Sequence, residues 1–71
     1  HIICSYLLNR YYERKTVQVY ITLSREKMAE KFGIARPSLS RELSNMKKDG
    51  LIELQKNYII IKDISTLEKI L

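Results

Sequence analysis

The sequence predicts a mainly α domain with a small antiparallel β-sheet: a winged helix-turn-helix with a three-helix core, a β-wing and a short C-terminal helix. Three observations predict it. Ala29, Gly33 and Leu39 have the spacing of two helices joined by a sharp glycine turn. The hydrophobic period alternates between helix and strand in the order α, β, α, α, β, β. Lysine and arginine outnumber aspartate and glutamate 13 to 8, and most of that excess lies in the turn-linked helices. A chain of 71 residues has material for one modest core, so residues 1–71 read as a single domain.

The first helix begins at Ile2, where Ile3, Leu7 and Tyr11, with Cys4, Leu8 and Tyr12 displaced by one, form a wide apolar stripe. Arg10, Arg14 and Lys15 suit the negative end of its dipole, and it stops near Lys15. From Val17 to Thr22 apolar and polar residues alternate, which predicts a strand. Ser24 occupies an N-cap position before a short second helix whose apolar face is Met28, Ala29 and Phe32. Gly33 ends that helix, because glycine accepts the left-handed backbone of a helix terminus. The third helix starts at Arg36-Pro37, where proline's missing N–H costs nothing, and runs to about Asp49 before Gly50. Its buried face is Leu39, Leu43 and Met46. Strands over Leu51 to Gln55 and Tyr58 to Lys62 flank a Lys56-Asn57 turn, with Ile52, Leu54, Ile59 and Ile61 available for the inner side. Ser65-Thr66-Leu67-Glu68 has capping-box spacing, and Leu67, Ile70 and Leu71 give the last helix an apolar side.

The third helix decides what the domain does. With 100° per residue, Pro37, Arg41, Ser44 and Lys48 fall opposite the apolar stripe, flanked by Ser40 and Asn45, and Glu42 lies toward the flank of the buried side. The exposed face therefore carries hydrogen-bond donors and cations but no carboxylate. From Ser24 to Lys48 seven lysines and arginines stand against three glutamates, a net of +4. A cationic helix fits the major groove of DNA, where arginine makes two bonds to guanine and serine donates or accepts. Arg41 and Ser44 are candidate base contacts, and Lys48 and Lys56 candidate phosphate contacts.

Other functions lack their chemistry. Cys4 has no second cysteine to pair with, and one Cys with one His makes no zinc set. Cys4 reads as a buried structural thiol, Tyr6, Tyr11, Tyr12 and Tyr58 as packing groups in the core or at a domain interface, and His1 is given no role. No window reaches the roughly 18 apolar residues of a membrane span, and a reducing cytoplasm is the expected compartment. No paired carboxylates, activated nucleophile or phosphate-binding glycine loop suggests an enzyme or a cofactor site. The alternative is a winged-helix protein interaction module, which an apolar exposed third helix would favour. The chain starts without Met directly in a helical pattern, so we expect a piece of a longer polypeptide.

The run Leu23-Ser24-Arg25-Glu26-Lys27-Met28-Ala29, continuing through Gly33-Ile34-Ala35-Arg36-Pro37-Ser38-Leu39-Ser40-Arg41-Glu42-Leu43 to Asp49-Gly50-Leu51-Ile52, resembles the C-terminal DNA-binding domain of Crp/Fnr-type bacterial transcription regulators. The likeness covers nearly the whole chain. It implies an upstream β-barrel sensor, where any effector would bind, and a long dimerisation helix before His1. It also implies a homodimer on an inverted-repeat operator, RNA polymerase as a further partner, and location on the bacterial nucleoid. By matching position, Arg36, Ser40 and Arg41 are similar to residues that reach base edges, and Ser24, Arg25 and Ser38 to residues that hold phosphates. Pro37 stands where several members place a cytosine-accepting Glu, and Ala35 where they often place a capping Ser, so both contacts are lost here.

Overall fold

Local chemistry sets the helix ends in the computed structural model, which describes residues 1–71. The elements run α1 (Ile2–Arg14), β1 (Gln18–Tyr20), α2 (Arg25–Phe32), α3 (Arg36–Lys48), β2 (Ile52–Leu54), β3 (Tyr58–Ile61) and α4 (Ile64–Ile70). Both glycines end a helix in the same way. At Gly33, with φ of 69°, the Ile34 N–H reaches the Ala29 carbonyl at 3.0 Å and the Gly33 N–H reaches that of Glu30 at 3.1 Å. At Gly50, with φ of 76°, Leu51 and Gly50 make the equivalent bonds to Met46 and Lys47. This pair of bonds satisfies carbonyls that the helix leaves open and turns the chain sharply. Lys15 closes α1 in the same left-handed region, at φ 57°, without glycine's freedom.

The three strands form one antiparallel sheet in the order β1-β3-β2. Ile59 faces Val19 on one side and Leu54 on the other, which puts its side chain at the sheet's centre with no exposure. The wing turns at Lys56 and Asn57, where the Gln55 N–H donates to the Tyr58 carbonyl at 3.0 Å. Neither turn residue has positive φ, so the turn lacks the mirror-image geometry that Asn-Gly would favour.

The core is continuous: Ile3, Cys4, Leu7 and Leu8 of α1 meet Met28, Ala29 and Phe32 of α2, Leu39, Leu43 and Met46 of α3, the inner sheet residues and Leu67. No polar or charged residue is buried, so the interior needs no internal hydrogen-bond network. Ala29 is 3% exposed where α2 packs on α3, as its small side chain requires. Cys4 is fully buried among these groups, and desolvation pushes its thiol pKa up. Tyr6 packs edge-on against Phe32 with ring centres 5.2 Å apart.

Several boundaries differ from the sequence reading. The first strand spans only Gln18–Tyr20; the Val17 carbonyl still accepts from the Ile61 N–H at 2.9 Å, but the residue is not part of the strand and its side chain is exposed. Both wing strands are also shorter than read, and Gln55 and Lys62 fall outside them. The last helix is not capped by Ser65. Asp63 caps it, accepting from the Thr66 N–H at 3.1 Å and the Thr66 hydroxyl at 2.7 Å, which places Ser65 within the helix. Two acceptor oxygens let Asp63 serve both donors, which a single serine oxygen cannot do as well. Ile70 and Leu71 do not join the core: Leu67 is the buried residue of the last helix, and these two, past it, are exposed. Of the tyrosines read as packing groups, Tyr12 is half-exposed and donates its hydroxyl to Glu68.

The two bonds from Thr66 favour the ionised form and hold the Asp63 carboxyl below its ordinary pKa. A lowered folded-state pKa contributes stability that is complete above the unfolded value and disappears as pH falls through the folded one. Asp63→Asn, which keeps a capping oxygen but cannot titrate, should therefore show a flatter loss of stability on acidification than the wild type. Thermal melts across the acid range check this, and identical profiles would contradict it.

Candidate nucleic-acid interface

The buried stripe of α3 determines what its other side presents. Leu39, Leu43 and Met46 are at most 4% exposed, and the helix is therefore fixed with Arg36, Pro37, Ser40, Arg41, Ser44, Asn45 and Lys48 in solvent. Arg36, Ser40 and Ser44 follow one another at intervals of four along one ridge, with Arg41 beside them. Lys48 lies at the opposite end, roughly 18 Å along the axis from Arg36. The first half of the helix thus carries Arg36, Ser40 and Arg41 together, and Lys48 stands apart.

The start of α3 is open. Ala35 has no side chain to cap it, and only its carbonyl takes part, accepting from the Leu39 N–H at 3.0 Å. Pro37 in the first turn supplies no N–H, which lowers the number of donors left without a partner. Ser38 is half-buried on the side between the solvent face and the core.

Ser24 and Arg25 stand at the start of α2. The Ser24 hydroxyl oxygen accepts from the Lys27 N–H at 3.2 Å, so it caps α2 and keeps its own proton for another acceptor. Arg25 is half-buried, with Nη1 3.9 Å from the Met28 sulfur, which directs the guanidinium along the helix start. The wing approaches this region: the Ile21 N–H donates to the Asn57 carbonyl at 2.9 Å. Lys56, next to Asn57, is consequently held near the segment that leads into Ser24 and Arg25.

The charge on this surface is free. The three ion pairs of the molecule are His1 with Glu42, Arg14 with Glu13, and Lys27 with Glu30. None involves Arg25, Arg36, Arg41, Lys48 or Lys56, so no carboxylate competes for these cations. The six exposed large apolar side chains are Ile2, Tyr12, Val17, Tyr20, Ile70 and Leu71, and none stands on α3.

Sequence reasoning missed two features. A cleft of about 270 Å³ opens between the end of α1 and β1, lined by Arg10, Arg14, Thr16, Gln18, Val19 and Tyr20, with no carboxylate, cysteine or histidine in its wall. Only the packing of α1 on β1 creates it, and no sequence signal marks it. The other is a bond from the His1 imidazole to Glu42 across 2.9 Å. The position of Glu42 on the flank of α3 was a partial signal, and a sequence separation of 41 concealed its partner. No group of three or more His, Cys, Asp or Glu could hold a metal ion. No helix is long and apolar enough to cross a membrane.

An exposed helix after a glycine turn, an inner stripe that fixes it and a β-wing beside it define a winged helix-turn-helix. Residues 3–70 match the family described as the Crp-like helix-turn-helix domain, and the chain belongs to that family. It is also 38% identical over 48 residues, 66% of its own length, to the transcriptional activator protein FnrL of Cereibacter sphaeroides. The chain spans about a fifth, 19%, of that relative's length. No solved structure matches it. The family is one of DNA-binding domains of transcription regulators and not a class of enzymes.

The uncapped start of α3 generates a prediction. Ala35→Ser should stabilise the domain by about 1 kcal/mol, because a serine oxygen would accept a first-turn N–H that now has no side-chain partner. Denaturant unfolding checks it, and an unchanged midpoint would show that the backbone at residue 35 does not allow the cap.

Proposed function

We propose that the chain is the sequence-specific DNA reader of a bacterial transcription regulator, with α3 inserted in the major groove. The observation that carries this reading is the face of α3: Arg36, Ser40, Arg41 and Ser44 in solvent, opposite a fully buried stripe, with no carboxylate paired to either arginine. Arg36, Ser40, Arg41 and Ser44 contact base edges, and arginine is suited to the two adjacent acceptors of guanine. Ser24, Arg25, Ser38, Lys48 and Lys56 hold phosphates and set the register of the helix without reading sequence. Pro37 has no polar group to offer a base, so the half-site differs from those read through a glutamate at this position.

The FnrL likeness and the short span of that relative support a larger protein in which this domain is one part. In that protein two copies form a homodimer and engage half-sites of an inverted repeat about one helical turn, roughly 34 Å, apart. Activation through RNA polymerase, an effector bound by an upstream sensor and a cytoplasmic location on the nucleoid belong to the same reading. The domain itself requires no cofactor and catalyses nothing. Residues 1–71 then belong to its DNA-binding domain. A protein interaction module is less well supported, since none of the exposed large apolar side chains lies on α3.

Arg41→Ala should cost about 1 to 3 kcal/mol on the best duplex selected from a random pool and relax one base preference. Lys48→Ala should weaken selected and random duplexes alike and reduce the slope of log affinity against log salt by about 1. Titrations at several salt concentrations measure both. Equal losses on both duplexes for Arg41→Ala would remove it from the base-reading set.

A further inference from the structure

We infer that His1 is a positioning residue for DNA recognition, acting through Glu42 to fix the rotation of α3. The inference rests on α3 being the DNA reader and adds what sets its orientation. Both imidazole nitrogens are engaged. Nδ1 accepts from the Cys4 N–H at 3.5 Å and caps α1, while Nε2 lies 2.9 Å from Glu42 Oε2. An accepting Nδ1 carries no proton, so the ring proton is on Nε2 and is donated to the Glu42 carboxylate. One ring therefore joins the first turn of α1 to the middle of the recognition helix.

The anchor is rigid. Ile3 and Cys4, directly after His1, are buried to within 1%, so the residue that holds Glu42 is attached to the centre of the core. On the other side, Glu42 lies between Leu43, which is buried, and Arg41, which is exposed. Of all the side chains of α3, Glu42 alone makes a hydrogen bond or ion pair to another element.

That singularity has a physical consequence. The stripe of Leu39, Leu43 and Met46 fixes which side of α3 meets the core, but apolar contact is non-directional and does not set the last few degrees of roll about the axis. A hydrogen bond is directional, and its strength falls steeply with angle. The start of the helix adds no such restraint, because Ala35 provides no side-chain cap. The His1–Glu42 bond is thus the contact that selects one roll angle, and with it the direction in which Arg41 and Ser40 leave the surface. It also draws the only carboxylate of α3 toward α1.

Two substitutions separate the link to Glu42 from the cap on α1. His1→Gln can place an amide N–H near the former Nε2 and keep the bond to Glu42, but it offers a poorer cap. His1→Asn provides a good capping oxygen for the Cys4 N–H and is too short to reach Glu42. Each variant and the wild type are measured on the best duplex selected from a random pool and on a random duplex, with thermal midpoints alongside. His1→Asn should keep its midpoint and lose about fivefold to tenfold on the selected duplex alone, the order of the net contribution of one ordinary hydrogen bond. His1→Gln should melt lower yet stay within about twofold of wild type on that duplex, and Glu42→Gln, which retains an acceptor, should do the same. The inference is overturned if His1→Asn keeps the full preference, or if the loss follows the thermal midpoint across the variants. A wild type with no preference among duplexes would instead overturn the reading of α3 itself, and this inference with it.

Discussion

Everything this domain presents to a partner depends on the burial of one narrow stripe. A helix of thirteen residues has a single side for the core, and Leu39, Leu43 and Met46 occupy it. Burying a leucine or methionine side chain contributes on the order of 1.5–3 kcal/mol, far more than any one exposed polar contact. The helix therefore cannot turn its arginines inward, and its donors are displayed as a result of apolar packing. Gly33 makes this arrangement possible by changing the chain's direction in a conformation that other residues adopt only with strain. Ala29 completes it by letting α2 lie close to α3.

Electrostatics follow from the same geometry. Four acidic residues are engaged with other groups: Glu13 beside Arg14, Glu30 beside Lys27, Glu42 drawn to His1, and Glu68 beside Tyr12, while Glu26 and Asp49, next in sequence to Arg25 and Lys48, form no ion pair with them. The cations of α3 and of the α2 start are left for an external anion. Such a surface attracts a polyanion at long range whatever its sequence. On the proposed reading, discrimination falls to short-range bonds from the first half of α3, where the side chains are arranged as a ridge and not scattered. That reading assigns affinity and selectivity to different residues of one small surface.

Stability and recognition meet at the two ends of the chain. α4 is held by a single buried leucine and a capping aspartate, and it covers α1. His1, the N-cap of α1, in turn contacts Glu42 of α3. On the inference drawn above, a change at His1 reaches the recognition helix without passing through α2 or the wing.

The sequence alone determined the helix-turn-helix, the buried stripe of α3 and the outward position of Pro37, Ser40, Arg41, Ser44 and Lys48. These follow from local rules: helical periodicity assigns faces, and glycine and proline mark ends. The same rules placed Ser24 as a cap and Cys4 in the core. Less was legible where two local signals competed, as at Ser65, where capping-box spacing suggested an N-cap that the doubly accepting Asp63 took instead. Apolar character at Ile70, Leu71 and Val17 likewise gave no measure of how far the core extends. Only the tertiary structure decided that β3 is the central strand, that the wing tip contacts the segment before α2, and that His1 bonds to Glu42. Each of these joins residues distant in sequence, and such pairing depends on how the elements pack in three dimensions, which no periodicity along the chain encodes.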